Sequence, residues 1–136
     1  MSQNVELVKK MYAAFGRGDV ATILANLTDD VLWSFEANSA ISWGGIRRGP
    51  QEAAGFFGGI NQDLTDNVLD ITEFVGEGDV VATFGTYAAT VRKNGRRVTT
   101  PVAHYFRFRD GKVAEYRNFI NTAAFADAMV AAGASA

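Results

Sequence analysis

The sequence predicts an α+β fold in which N-terminal helices pack against a curved antiparallel sheet built by the second half of the chain. Three observations lead to it. Apolar residues recur at helical spacing near the start, through Val5, Val8, Tyr12 and Phe15 and again through Val20, Ile23, Leu24 and Leu27. Farther on the period changes to two. Val98, Thr100, Val102, His104, Phe106 and Phe108 alternate with Arg97, Thr99, Tyr105, Arg107 and Arg109, as in a half-buried strand whose side chains point to opposite faces in turn. Flanking that stretch are Asn94-Gly95 and Asp110-Gly111, pairs that tolerate the positive φ of a tight hairpin.

The first helix has one buried face, with Leu7 and Met11 beside the residues named above, and Gly16-Arg17-Gly18 ends it. Asp19 is placed to cap a second, shorter helix running to Leu27, because a carboxylate there accepts from the free amides of the first turn. Asp29-Asp30 breaks the pattern. Val31, Trp33 and Phe35 then alternate with Leu32, Ser34 and Glu36, giving a first strand over residues 31–36. Residues 37–49 read as loop, and Pro50 opens a third helix carrying Ala53, Phe56, Phe57 and Ile60. Gly55, Gly58 and Gly59 weaken that helix by about 1 kcal/mol each relative to alanine and point to close packing on the sheet.

Strands follow over residues 68–75 and 80–92, joined by a turn at residues 76–79. With the His104 strand and a return strand over residues 113–121, three hairpins build a four-stranded antiparallel meander, to which residues 31–36 add a strand. Pro101 cannot donate to a ladder, so an edge or a bulge is expected there. Residues 122–132 read as a terminal helix with Phe125 and Met129 on one side, and residues 133–136 as a frayed tail.

The chain has 136 residues, 48% of them hydrophobic, which is enough for one core and one domain. A formal net charge of −2 argues against a nucleic-acid or membrane-surface binder, since phosphate contacts need a net basic face. With no cysteine there are no disulfides, thiolate nucleophiles or cysteine-based zinc sets. The N-terminal residues show neither a basic leader nor a long apolar run, so a soluble, cytoplasmic protein is expected.

Phe15-Gly16-Arg17-Gly18-Asp19, then Thr28 to Trp33, then Gly45 to Gly49 with Phe56-Phe57, and finally His104 through Val113 follow in a characteristic order and spacing. Nearly the whole chain thereby resembles the nuclear transport factor 2-like (NTF2-like) superfamily, which includes ketosteroid isomerase, SnoaL-like polyketide cyclases, limonene epoxide hydrolase and scytalone dehydratase. The resemblance implies a cone-shaped, cystatin-like α+β fold around one pocket, and a homodimer formed through the outer sheet face. That fold hosts both enzymes and non-enzymes. In ketosteroid isomerase a first-helix tyrosine and a protonated aspartic acid in the sheet donate to the developing enolate, while another aspartate moves the proton. By spacing, these positions fall here on Met11, next to Tyr12, on His104 and on Phe35. Phe35 holds no base, so steroid isomerisation by that route is not implied. The late-strand aspartate of the epoxide hydrolase and cyclase members falls on Asn118, which hydrogen-bonds but does not titrate, and Asn121 replaces another acid.

His104, the only histidine, is the interior-facing group expected to titrate nearest neutrality, and so the first candidate for a general acid or base. Tyr116 and Asn118 share a face of the return strand with Ala114 and Ile120, and are expected to position a carbonyl or hydroxyl. Trp33, Phe35, Trp43, Phe56, Tyr87 and Phe106, joined by Met11 and Tyr12 and also by Phe57 and Phe84, are expected to wall a pocket for a small apolar or aromatic ligand. The opposing reading makes His104 a core histidine satisfied by a carbonyl or by Tyr116, and the aromatic residues simply core. The hairpin arginines read as a solvated outer face with Glu73 and Glu115 as cross-strand partners. Glu36 and Glu52 are the carboxylates nearest the expected pocket mouth. One histidine without cysteine gives no metal-ligand pattern, and no cofactor is implied. Two functions stay open: a proton-transfer isomerase, cyclase or dehydratase, or a non-catalytic ligand-binding or protein-interaction module.

Overall fold

The computed structural model describes residues 3–37 and 40–134. Helix α1 (Gln3–Gly16) buries Val8, Met11 and Ala14. Asp19 caps α2 (Val20–Ala25), its carboxylate accepting from the Thr22 amide at 3.1 Å and the Thr22 hydroxyl at 2.6 Å. These bonds, with Arg17, hold the Asp19 carboxyl below the usual range. Strand β1 (Leu27–Phe35) follows at once. Leu27 therefore opens the first strand rather than closing the second helix, and Asp29 and Asp30 lie within that strand. Both are exposed, and Asp30 is held by Thr28 and Arg109; exposed in this way, the carboxylates pay no desolvation for lying in a strand.

A second strand, β2 (Gly45–Arg48), lies inside the expected loop and pairs antiparallel with β1. Helix α3 (Gly49–Asp63) starts with Pro50 in its first turn and buries Ala53, Phe56, Phe57 and Ile60. The meander consists of β3 (Leu64–Glu77), β4 (Val80–Val91), β5 (Arg97–Arg109) and β6 (Lys112–Ile120), and α4 (Thr122–Ala134) closes the described chain. Helix α4 continues through Gly133 and Ala134, past the expected end at residue 132. Asn38 and Ser39 of the expected loop, and Ser135 and Ala136 of the expected tail, lie outside the described residues.

The strands form one curved sheet in the order β2-β1-β6-β5-β4-β3. Every pairing is antiparallel except that of β1 with β6. Asp110 and Gly111, with φ of 53° and 81°, form the two-residue turn joining β5 to β6. Pro101 lies in an interior strand, and its register opposite Thr86 of β4 is unbroken, so there is no bulge. The last β6 partner is Ile120, opposite Val102. Pro101 thus sits just past the end of β6, where a missing N–H leaves no gap in that ladder.

The β5–β6 irregularity falls instead between Arg107 and Phe108, and it shifts the phase at the start of β6. Val113, which strict alternation assigns to the outer face, is consequently buried on the same side as Tyr116. Helix α3 packs on β1, α1 on β3 and β4, and α4 on β5. Close packing at the α3 glycines involves Trp43 of the loop and, at Gly55, the Arg47 side chain of β2. A Cβ on Gly59 would stand 2.9 Å from that of Trp43, whereas one on Gly58 would meet open space. On the outer face Glu115 holds Arg117 at 2.8 Å and Arg107 at 3.8 Å. Among the described residues Glu73 makes no such pair; it lies opposite Phe84, not opposite an arginine.

Candidate functional site

Alternation along β5 puts His104 on the inner face between Val102 and Phe106. Register places it opposite Thr83 of β4 and Asn118 of β6. Helix α1 lays Tyr12 across these strands, its hydroxyl 2.7 Å from His104 Nδ1 and 2.6 Å from Thr83 Oγ1. Two proton arrangements satisfy this chain. In one, Tyr12 donates to Nδ1 and accepts from Thr83; in the other, Nδ1–H donates to Tyr12, which donates to Thr83.

His104 is 5% exposed. Burial alone pushes its pKa down from 6.5 to about 3. The expectation that it changes charge near neutrality is therefore corrected: with no carboxylate beside it, desolvation disfavours the imidazolium and the ring stays neutral. Burial likewise raises the pKa of Tyr12 and Tyr116, so both keep their protons. Among the described residues no protein group takes His104 Nε2, and the ring lines the cavity described next.

Trp33 sits opposite Tyr116 in the parallel β1–β6 register, and the two rings stack at 3.8 Å and 19°. Tyr116 in turn lies 5.2 Å from the His104 ring. Two buried polar atoms in this group have no partner: Trp33 Nε1, a donor, and Asn118 Oδ1, an acceptor.

These side chains surround a cavity of about 60 Å³. Met11 and Tyr12 of α1 line it, with Trp33, Trp43, Phe56, Tyr87 and Phe106 from the sheet, loop and α3. His104, Tyr116 and Asn118 complete the polar side of its wall. Phe35 does not reach it. That ring, 1% exposed, lies farther along β1 and meets Phe56 edge-on at 6.2 Å. Phe84 is 42% exposed on the outer face, because it falls between the inward positions Thr83 and Gly85. Glu52 accepts the Arg48 amide at 2.8 Å, and Asn121 caps α4 through the Ala124 amide; neither lines the cavity.

Sequence reasoning missed Thr83 and Leu69; it put Ile120 on the face of Tyr116 and Asn118, where the structure has it. For Thr83 a signal existed, since Val81, Thr83, Tyr87, Ala89 and Val91 share one parity and all are buried. A wider vestibule of about 590 Å³ adjoins the cavity and shares Tyr12, Phe15, Phe57, Ile60 and Leu69 with it. Access from outside thus runs between the end of α1, the middle of α3 and β3.

A curved, unclosed six-stranded sheet with helices over an aromatic cavity defines an NTF2-like α+β protein. An NTF2-like protein of unknown function from Burkholderia pseudomallei superposes with a TM-score of 0.86 at 29% identity, covering 95% of this chain and 98% of that one. TerC, co-crystallized with polyporic acid, gives 0.84 at 28% identity over 94% of this chain and 98% of its own. A putative SnoaL-like polyketide cyclase from Jannaschia gives 0.82 at 22% identity over 95% and 92%, a likeness of fold alone. The SnoaL-like domain family matches residues 8–116, and the chain belongs to that family. No curated protein matches it significantly.

Proposed function

We propose that the cavity binds a small, largely apolar carbonyl or hydroxyl compound and that the protein shifts a proton on it in an isomerase-, cyclase- or dehydratase-like step. The observation that carries this reading is the pair of unpartnered buried atoms, Trp33 Nε1 and Asn118 Oδ1, on side chains that line a largely apolar cavity. Leaving such a group unpaired costs roughly 1–3 kcal/mol, a cost that a bound hydroxyl offsets at either atom and a bound carbonyl at Trp33 Nε1. The polyporic acid in TerC supports small-molecule occupancy of this fold.

In this reading Tyr116 and Asn118 hold the ligand oxygen. His104 acts through Nε2 as a neutral donor or acceptor, its ring oriented by Tyr12 and Thr83, and Phe56, Phe106 and Trp43 exclude water. One observation favours the second reading, a binding module without catalysis: the wall holds no carboxylate, and its only imidazole resists protonation.

β-Tetralone, an enolisable aromatic ketone, separates the two. Binding is followed by emission of Trp33 and Trp43, both in the wall, and proton transfer by NMR of α-proton exchange in D2O. Quenching with accelerated exchange that His104→Gln abolishes supports the enzyme. Quenching without exchange leaves the binding module, and no quenching removes both.

The homodimer belongs to the same proposal. Phe84, Ala103 and Phe119 align by register across β4, β5 and β6, and Phe84 and Phe119 are 42% and 54% exposed. Sedimentation at micromolar concentration is expected to show a dimer that Phe119→Ser dissociates; a monomeric parent protein ends that claim.

A further inference from the structure

We infer that this site admits its ligand only in uncharged form, taking an aromatic alcohol or ketone and rejecting the corresponding phenolate or carboxylate. The inference rests on the pocket reading above and adds a charge criterion to it. The chain carries 13 Lys and Arg and 15 Asp and Glu, yet none lines either the cavity or its vestibule. The route from solvent to His104 therefore offers an ion no opposite charge in its lining; the cation that acts on the wall, Arg97, does so through Tyr87 from outside it. An ion entering there gives up its hydration without a paired partner, which is far costlier than the transfer of a neutral group.

The ionisable groups of the wall are Tyr12 of α1, Tyr87 of β4, His104 of β5 and Tyr116 of β6; α2, α3, β1 and β3 supply none. Burial keeps all four neutral, lowering the histidine and raising the tyrosines. The two unpartnered atoms point the same way. A neutral hydroxyl can serve either atom, donating to Asn118 Oδ1 or accepting from Trp33 Nε1, and a ketone can accept from Trp33 Nε1. An oxyanion can also accept from Trp33 Nε1, but it brings a full charge that no cation of the wall balances.

Equilibrium dialysis with three probes tests this: β-naphthol, β-naphthoate and para-nitrophenol, which ionises near neutral pH. From about pH 6 to about pH 9 none of the wall groups titrates at its buried value, so any pH dependence belongs to the probe. Retention of β-naphthol is expected to be level across that range, with β-naphthoate excluded. The affinity for para-nitrophenol is expected to fall about tenfold per pH unit above the probe's own pKa.

Retention of the naphthoate, or equal retention of nitrophenol and nitrophenolate, overturns the charge criterion and leaves the pocket standing. Retention of no probe overturns both. Leu69→Arg, at a half-buried position shared by cavity and vestibule, places a cation on the route and is expected to admit β-naphthoate; Val20→Arg at the vestibule serves if that variant does not fold. Continued exclusion by a folded variant shows that charge is not the barrier and overturns the inference.

Discussion

Replacing His104 by glutamine changes how stability depends on pH, and the structure sets the size of the change. The folded chain holds the imidazole at about 3, against 6.5 for an unperturbed histidine. Because the folded value is the lower, the unfolded chain takes up the proton first as pH falls. The contribution of neutral His104 is complete above about pH 6.5 and is lost progressively as pH drops toward about 3. One proton bound by the unfolded state alone gives a slope of about 1.4 kcal/mol per pH unit, so moving from about pH 7 to about pH 5 removes roughly 2 kcal/mol.

With a urea dependence of about 2 kcal/mol per molar, the parent midpoint moves by roughly 1 M from this source. The carboxyls of Asp19 and Asp30 are also held low, so their support also fades as pH falls through their lowered values, but both proteins share it. Urea unfolding of parent and His104→Gln at several pH values therefore isolates the histidine. The stability gap between the two is expected to shrink by roughly 2 kcal/mol over that range. A gap that is the same at every pH refutes the claim that His104 is buried and neutral.

Tyr12→Phe strips His104 Nδ1 and Thr83 of their shared partner; a loss of roughly 1–3 kcal/mol is expected by urea unfolding, and the imidazole nitrogen resonances should show a changed tautomer balance. Gly58→Ala meets open space within α3 and is expected to raise stability by up to about 1 kcal/mol. Gly59→Ala drives its methyl against Trp43 and is expected to lower stability, so the two melting temperatures should move in opposite directions. At Gly85 a Cβ would stand 2.0 Å from the Asp70 carbonyl oxygen, beside the β3 irregularity between Ile71 and Glu73; Gly85→Ala is expected to cost about 3 kcal/mol or more, read by thermal unfolding.

What was legible in the sequence was local. The 3.6-residue spacing in α1, the Asp19 cap, the alternation in β5 and the Asp110-Gly111 turn are each set by neighbouring residues, and each appears in the structure. The short edge strand β2 was not legible, because Gly45-Ile46-Arg47-Arg48 has little alternation and owes its form to pairing with β1. Nor was the inward turn of Val113, which depends on a ladder irregularity that strict alternation does not contain. Alternation put His104 inside, but its neutrality and its bond to Tyr12 follow from how α1 packs on β3 and β4 and carries Tyr12 to the His104 ring, a tertiary fact. Alternation in β4 also separated Thr83, inside, from Phe84, outside; assigning Phe84 to the pocket on aromatic character alone went against that pattern.

The parallel contact of β1 with β6 also bears on synthesis. Leu27 comes to rest beside Val113, and Trp33 beside Tyr116. A nascent chain lays down β1 early and must wait for almost all the rest before that edge is closed. The intervening hairpins are made from closer neighbours and can form as they emerge, whereas joining β1 to β6 closes a long loop, the slow kind of step in folding. While the chain waits, Trp33 and Phe35 are without the strand that later flanks them, so the half-made protein is most vulnerable to aggregation at its beginning rather than its end. Loss of the last strand would thus be felt first at the N-terminal half, far away in sequence.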